Sequence, residues 1–338
     1  MDQIRRLIAG ERLSEADAEG LFGSLLEGGL DEAQIGAVLA LLQSGGEPTV
    51  DEVVGAARVM RSRVTRVPFE PKGDERLIDT CGTGGAPKTF NVSTAAAIVA
   101  AGADDRVRVA KHGNRSRTGR GSAEVLGELG VGVDASVETQ AACLGEAGVC
   151  FCFAIHHHPA MRHAIGPRRS LGVPTIFNVL GPLTNPAGAR RQLIGVYAPG
   201  LVDLVASALA RLGAERAIVM HSREGLDEIG LAGVTDAAVV ESGTVRRIEI
   251  TPRSMGLAEA PRESLVVDDV AGSARVIRGV FSGEPGGHRD ITVVNAAAAL
   301  WVAGVCKSIE AGVGMSRDAI DSGRALGVLE RLVACSNG

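Results

Sequence analysis

Apolar residues recur at helical spacing through residues 14–64. In "DEAQIGAVLALLQSGG" Ile35, Val38, Leu39 and Leu42 fall at i, i+3, i+4 and i+7, with acidic residues at the start and Gly45 and Gly46 at the end. "SEADAEGLFGSLLEGG" repeats the pattern with Leu21, Leu25 and Leu26, and "TVDEVVGAARVMRSR" predicts a further amphipathic helix. "RVPFEPKGDE" carries two prolines, mixed charge and little periodicity, and marks a boundary. Beyond it, short β-rich runs alternate with helical stretches. "RLIDT" precedes "STAAAIVAAGA", "RVRVA" precedes "SAEVLGELG", and "VCFCFA" precedes "PAMRHAIGPRRSLG". "QLIGVYA" then precedes "LVDLVASALARLG", and "RAIVMHS" comes before the later "TVVNAAAALWVAG". The pattern predicts an α/β protein: a small N-terminal helical domain, residues 1–70, and a larger α/β domain, residues 71–338, with a central, mostly parallel sheet covered by helices. In such sheets ligands gather beyond the C-terminal strand ends, so the strand-to-helix turns are the places to look for chemistry.

Composition narrows the classes. The chain has 338 residues, 45% of them hydrophobic and 22% charged, enough for a sizeable core. A net charge of -5 without long runs of one sign gives no footprint for a nucleic-acid or anionic-membrane binder, so any anion must be met by a local site. No signal-peptide pattern opens the sequence and no run of about 18 apolar residues occurs, which predicts a cytoplasmic protein without membrane contact. The six cysteines show no zinc-like spacing and read as reduced, buried thiols.

Four turns carry candidate chemistry. In "RLIDTCGTGGAPKTFNVST", Gly82, Gly84 and Gly85 permit close backbone approach and positive φ. Asn91, Ser93 and Thr94 stand at a helix N-terminus whose free N–H groups and dipole favour anions. A plain glycine turn with a capped helix is the structural alternative; the stretch is neither a P-loop nor a GxGxxG fingerprint. The second turn, "VAKHGNRSRTGRGSAEVL", gathers Lys111, His112, Asn114, Arg115, Arg117, Thr118 and Arg120 between glycines and suits a polyanion. In the third, His156, His157 and His158 are consecutive and cannot all face one ion from a strand or helix. One histidine with Arg168 or Arg169 suits a carboxylate-bearing small molecule, and "NVLGPLTNP" reads as a rigid crossing or hinge. The fourth, "VMHSREGLDEIG", presents Asp227 and Glu228, hard oxygen donors of the kind that bind Mg²⁺ beside substrate phosphates.

In this order, "GLDEAQIGAVLALLQSGGEPTVDEVVGAARVMR", "CGTGG", "NVST", "KHGNR", "HPAMRH", "RRSLGVPTIFNVLGPLTNPA", "GLDEI" and "VNAAAALWVAG" span almost the full chain. Together they resemble the anthranilate phosphoribosyltransferase family, which shares its fold with pyrimidine nucleoside phosphorylases. The resemblance implies transfer of the phosphoribosyl group of phosphoribosyl pyrophosphate (PRPP) to the amino group of anthranilate with Mg²⁺ help. It also implies a homodimer through the helical domain, the latter completed by residues at about 160–188; packing of the same apolar stripe against the second domain of a monomer is the alternative. By position it assigns PRPP to Gly82, Gly84, Gly85, Ala86, Thr89, Asn91, Val92, Ser93, Thr94, Lys111, His112, Gly113, Asn114, Arg115, Arg117, Thr118 and Gly119. It assigns anthranilate to Gly82, Asn114, Arg168, His112 and His158, and metal to Ser93, Asp227 and Glu228. No residue stands out as a general base.

The chain departs from the family pattern at the ligand turns. "APK" follows "GTGG" where an Asp-Gly pair is usual, with Ala86 at the acidic position; "SRTGR" is one residue shorter than usual; Ile155 and His156 replace a usual proline and often an asparagine. Lys88, Arg117 and Arg120 then serve as replacement phosphate partners. The alternatives are a paralogue with another acceptor and a non-catalytic nucleic-acid-binding relative. The second expects a broad basic surface, against the acidic balance.

Overall fold

The computed structural model describes residues 2–87, 89–116 and 119–338. The chain opens with four helices: α1 (Asp2–Ile8), α2 (Glu15–Leu26), α3 (Glu32–Ser44) and α4 (Val50–Ser62). The last three start at side-chain N-caps. Ser14, Asp31 and Thr49 each accept a backbone N–H from the first turn, and Gln34 and Glu52 reach back to complete capping boxes at Asp31 and Thr49. Helix α1 precedes the region that periodicity predicted to be helical. It is too short for a period to show, and it is held by burial of Ile4 and Leu7.

After the boundary come β1 (Arg76–Gly82), α5 (Val92–Ala103), β2 (Val107–Gly113), α6 (Ser122–Glu128), α7 (Val137–Glu146), β3 (Val149–Phe153), α8 (Ala154–His157), α9 (Arg162–Leu171) and α10 (Ile176–Leu180). Then follow β4 (Arg191–Gly195), α11 (Leu201–Arg211), β5 (Arg216–Ser222), β6 (Thr235–Glu241), β7 (Thr244–Ile250), α12 (Val270–Phe281), α13 (Gly287–Ala303), α14 (Ile309–Asp321) and α15 (Arg324–Asn337). The seven strands form one sheet in the order β3-β2-β1-β4-β5-β6-β7. The first five in this order are parallel, and β6 and β7 close one edge antiparallel. The chain leaves β1 toward β2 and β3, then returns to lay β4 on β1's other side, so strand order reverses at β1 and a crevice opens there.

Alternate residues of the central strands feed two cores. Leu193, Ile218 and Val239 face α5 and the C-terminal helices, whereas Ile194, Val219 and Val240 share a core with α1–α4, α10 and α11. Phe22 of α2 meets Phe177 of α10 edge to face at 5.8 Å, bringing the 160–188 segment against the helical unit. The β1–β2 ladder is short. It pairs Arg76↔Val107, Leu77↔Arg108 and Ile78↔Val109 and stops, although both strands continue.

The six cysteines are free thiols; Cys81, Cys143, Cys150 and Cys152 are buried, while Cys306 and Cys335 are only partly so. Among the described residues, no helix is long and apolar enough to cross a membrane.

Candidate active site

The first turn leaves β1 at Gly82, beside Gly195 at the end of β4. A methyl group on Gly195 would stand 1.7 Å from the Asp227 carbonyl oxygen, and one on Gly82 would stand 2.9 Å from Asp227 Oδ2. Glycine at both strand ends thus lets the 227–228 loop close onto the first turn. The Thr83 N–H donates to the Gly195 carbonyl (2.9 Å), and the Tyr197 N–H donates to Thr83 Oγ1 (3.0 Å). Gly84 and Gly85 adopt φ of 65° and 98°, a region that L side chains rarely enter. Ala86 is half-buried and Thr89 buried; Lys88 lies outside the described residues.

The start of α5 differs from the expectation of free amide donors. The Asn91 N–H donates to Ser273 Oγ (3.2 Å), the Val92 N–H to the Phe90 carbonyl (2.9 Å), and the Thr94 N–H to the Asn91 carbonyl (3.1 Å). The Ser93 N–H donates to the Glu228 carboxyl. Asn91 precedes the helix without capping it by its side chain, which instead accepts from the Ser273 hydroxyl (2.9 Å) and reaches the Arg120 carbonyl (3.5 Å). What α5 offers an anion is therefore its dipole and the Ser93 and Thr94 hydroxyls rather than a row of open N–H groups. Thr94 Oγ1 is buried without a hydrogen-bond partner among the described residues. Val92 is buried in the core, so its side chain faces away from any ligand.

Lys111 sits on β2 and crosses beneath the first turn. Its Nζ donates to the Thr80 carbonyl (2.7 Å) and to Ser93 Oγ (3.1 Å). Burial pushes the ammonium below its usual range, opposed by the charges of Asp79, Cys81, Glu228 and Asp227. Gly113 ends β2, and the loop after it carries Asn114 and Arg115, the latter 5.5 Å from the centre of the Phe153 ring. Asn114 is exposed and accepts the Arg115 N–H (2.8 Å). Gly119 takes φ of 73°. Arg117 and Thr118 lie outside the described residues. Arg120 donates to the Val267 carbonyl, a bond that ties the second turn to the approach to α12.

The three histidines diverge. His156 meets Asp134 at the surface (2.7 Å) and His157 bridges the Thr65 carbonyl (2.7 Å) and Gln140 Oε1 (2.9 Å). His158 Nε2 meets His112 Nε2 at 3.2 Å. His112 Nδ1 faces the Gly181 carbonyl (3.1 Å), an acceptor only, so it carries the proton. In neutral His112, Nε2 then accepts from the His158 Nε2–H. Burial pushes the imidazolium of His112 well below its usual range and that of His158 down to about 4, so both rings are uncharged at neutral pH.

Arg168, near the end of α9, lies over the Phe177 ring at 5.3 Å. Burial lowers its pKa, and no acidic neighbour among the described residues opposes that shift. Asn178, next to Phe177, donates from Nδ2 to the Thr83 carbonyl (3.3 Å). The arginine platform is thereby pinned to the glycine turn. The charge pattern had pointed to Arg168 or Arg169; the former is half-buried on the ring and the latter exposed. Phe177 and Asn178 carry no charge signal, so sequence reasoning passed over them.

Asp227 and Glu228 face the same turn. Burial pushes the Glu228 carboxyl well above its usual range, Asp227 adds to the shift, and Lys111 and the Ser93 N–H oppose it. Among the described residues no group of three or more His, Cys, Asp or Glu side chains could enclose a metal. Two carboxylates and the Ser93 hydroxyl supply hard oxygen donors, which fits Mg²⁺ arriving with a phosphate ligand rather than a dedicated protein cage.

Comparison with known proteins follows the same division. Residues 1–64 match the glycosyl transferase family helical bundle domain, and residues 74–326 match the glycosyl transferase family a/b domain. The chain is 48% identical to the anthranilate phosphoribosyltransferase of Rubrobacter xylanophilus, over 99% of this chain and 97% of that protein. It is also 48% identical to that of Anaeromyxobacter sp. strain K, over 98% and 97%. The crystal structure of anthranilate phosphoribosyltransferase from Thermus thermophilus superimposes with a TM-score of 0.90 at 39% identity, covering both chains fully. The Saccharomyces cerevisiae protein, solved in complex with PRPP and Mg, shares the fold with a TM-score of 0.87 at 24% identity, over 99% and 96% of the two chains.

Proposed function

The chain belongs to the anthranilate phosphoribosyltransferase family, and on that premise we propose that it transfers the phosphoribosyl group of PRPP to the amino group of anthranilate, releasing pyrophosphate for tryptophan biosynthesis. The observation that carries the reading to the residues is the Asn178 bond to Thr83, which joins an arginine suited to a carboxylate to a glycine turn suited to phosphate.

In this reading the turn from Gly82 to Ala86, with Thr89, Asn91, Ser93 and Thr94, receives the diphosphate end of PRPP under the positive end of α5. His112, Gly113, Asn114, Arg115, Arg117, Thr118 and Gly119 are proposed to contact the ribosyl phosphate, and Lys111 fixes the Ser93 hydroxyl from below. Arg168 takes the anthranilate carboxylate, with Gly82, Asn114 and the uncharged His112–His158 pair around the ring. The amine nitrogen forms its bond to C1 as the bond from C1 to the pyrophosphate oxygen breaks, and the amine then gives up a proton. No side chain is assigned as its base. Holding amine and C1 in line, away from water, supplies most of the acceleration. Ser93, Asp227 and Glu228 would hold Mg²⁺, whose chemistry when bound is to neutralise charge on the leaving pyrophosphate. A cytoplasmic location and a homodimer through the helical unit belong to the same reading; Ile8, Ile165 and Val173 are exposed there, at 67%, 45% and 57%.

Purified protein with PRPP and Mg²⁺ should consume anthranilate fluorescence. Arg168→Ala should raise KM for anthranilate by about tenfold or more, the scale of a lost charged hydrogen bond. PRPP binding without turnover would instead favour another acceptor. Absence of PRPP binding would overturn the reading.

A further inference from the structure

The gap between β1 and β2 lies directly under the two turns that receive ligands. The parallel register, if continued past Ile78↔Val109, would run residues 79–82 beside residues 110–113, yet none of these pairs forms. On their outer sides both strands keep pairing to the end: β1 with β4 through Gly82↔Gly195, and β2 with β3 through Gly113↔Phe153. Neighbouring strands without backbone rungs leave buried backbone groups that need partners. Three side chains supply them. Asp79 Oδ1 accepts the His112 N–H (3.0 Å), Asn185 Nδ2 donates to the Ala110 carbonyl (2.8 Å), and Lys111 Nζ donates to the Thr80 carbonyl (2.7 Å). Asp79 is fully buried, and Gln192 Nε2 donates both to its second oxygen (3.3 Å) and to the Pro182 carbonyl (2.7 Å). Both of these partners donate to Asp79; burial raises the carboxyl's pKa, and the His112 N–H, Asn185 and the Lys111 charge oppose that shift.

We propose that Asp79 is a positioning residue for phosphoribosyl transfer: its side chain takes the place of a missing backbone rung between β1 and β2 and fixes the turn that receives the diphosphate relative to the turn that receives the ribosyl phosphate. The inference rests on the reaction proposed above. Ordinary pairing would join the strands there through backbone bonds alone. The Asp79 side chain replaces a backbone rung and anchors both strands. It holds β2 through the His112 N–H, whose ring meets His158, and it borders the Lys111 bridge to Thr80 and Ser93 on the β1 side.

The test measures PRPP binding by calorimetry, steady-state kinetics and thermal midpoints for the parent protein and for Asp79→Ala, Asp79→Asn and Gln192→Met. We expect Asp79→Ala to weaken PRPP binding about tenfold or more, with KM for PRPP rising by more than kcat falls. Asp79→Asn, which keeps an acceptor for the His112 N–H, should recover part of that loss. Gln192→Met should act in the same direction by about threefold, with faster amide exchange at His112. Lower thermal midpoints in all three variants with parental PRPP affinity and kinetics would overturn the proposal by reducing Asp79 to a stability residue. If the Asp79 variants do not fold, Gln192→Met decides: parental affinity together with parental His112 exchange overturns it. A parent that binds PRPP without consuming anthranilate revises the acceptor and leaves the affinity test in force. A parent that does not bind PRPP removes both readings.

Discussion

At the scale of single residues, the site separates charge from proton chemistry. His112 and His158 are held neutral by burial, and their tautomers follow from one carbonyl, that of Gly181. The linkage has a definite sign. Both folded-state values lie below the unfolded histidine value, so the unfolded chain binds more protons as pH falls and the native state loses stability. For His158, from 6.5 to about 4, the loss is ~3 kcal/mol in total, accumulating as pH falls through that window. Denaturant midpoints should therefore drop between pH 7 and pH 4, and His158→Gln should flatten that slope. The glycines, the acidic pair and Arg168 or Arg169 can be singled out from sequence because each residue type carries its own chemistry. Asp79 cannot be, because a lone aspartate in an apolar strand has no pattern until its neighbours across the sheet are known. Lys111 was read as part of an open basic loop, since sequence does not reveal that its stem runs back under the first turn.

Elements were the most legible where their ends carried chemistry. Acidic residues at the start of α3 and Gly45 and Gly46 after it bounded a helix whose apolar stripe was plain. The antiparallel pair β6 and β7 was missed, as were α7, α12, α14 and α15. β7 faces solvent along much of its length with Arg246, Arg247 and Glu249, so its alternation lacks a strong apolar face. The join between elements also depends on residues without a local signal. Arg61, in the last turn of α4, donates to the carbonyls of Leu183 (2.7 Å) and Leu212 (3.1 Å), and burial pushes its pKa down to about 10. It remains charged at neutral pH and ties the helical unit to the 181–188 crossing and to the end of α11. Arg61→Met would keep most of the packing but leave those carbonyls short of a donor. Chemical unfolding should show a loss of ~2 kcal/mol, with a smaller change in PRPP affinity than any Asp79 variant.

For the whole molecule, the α/β class and the mostly parallel sheet followed from alternation of strand and helix, but the way the domains share material did not. Periodicity marks residues as apolar without saying which face of a later sheet they will meet. Cys81, Ile194, Ala217, Val219 and Ala238 of the sheet lie in one core with Phe22, Leu39 and Val54 of the helical unit. The segment between them in sequence, residues 70–74, is exposed and outside any helix or strand. Trypsin should reach Lys72 in the native protein, yet a single cut there severs only the covalent thread. The two fragments should co-elute as one folded particle, retain PRPP binding, and part only in denaturant. Expressed separately, the N-terminal piece should be insoluble or unfolded until its counterpart is added, because half of its interior is supplied from beyond the cut.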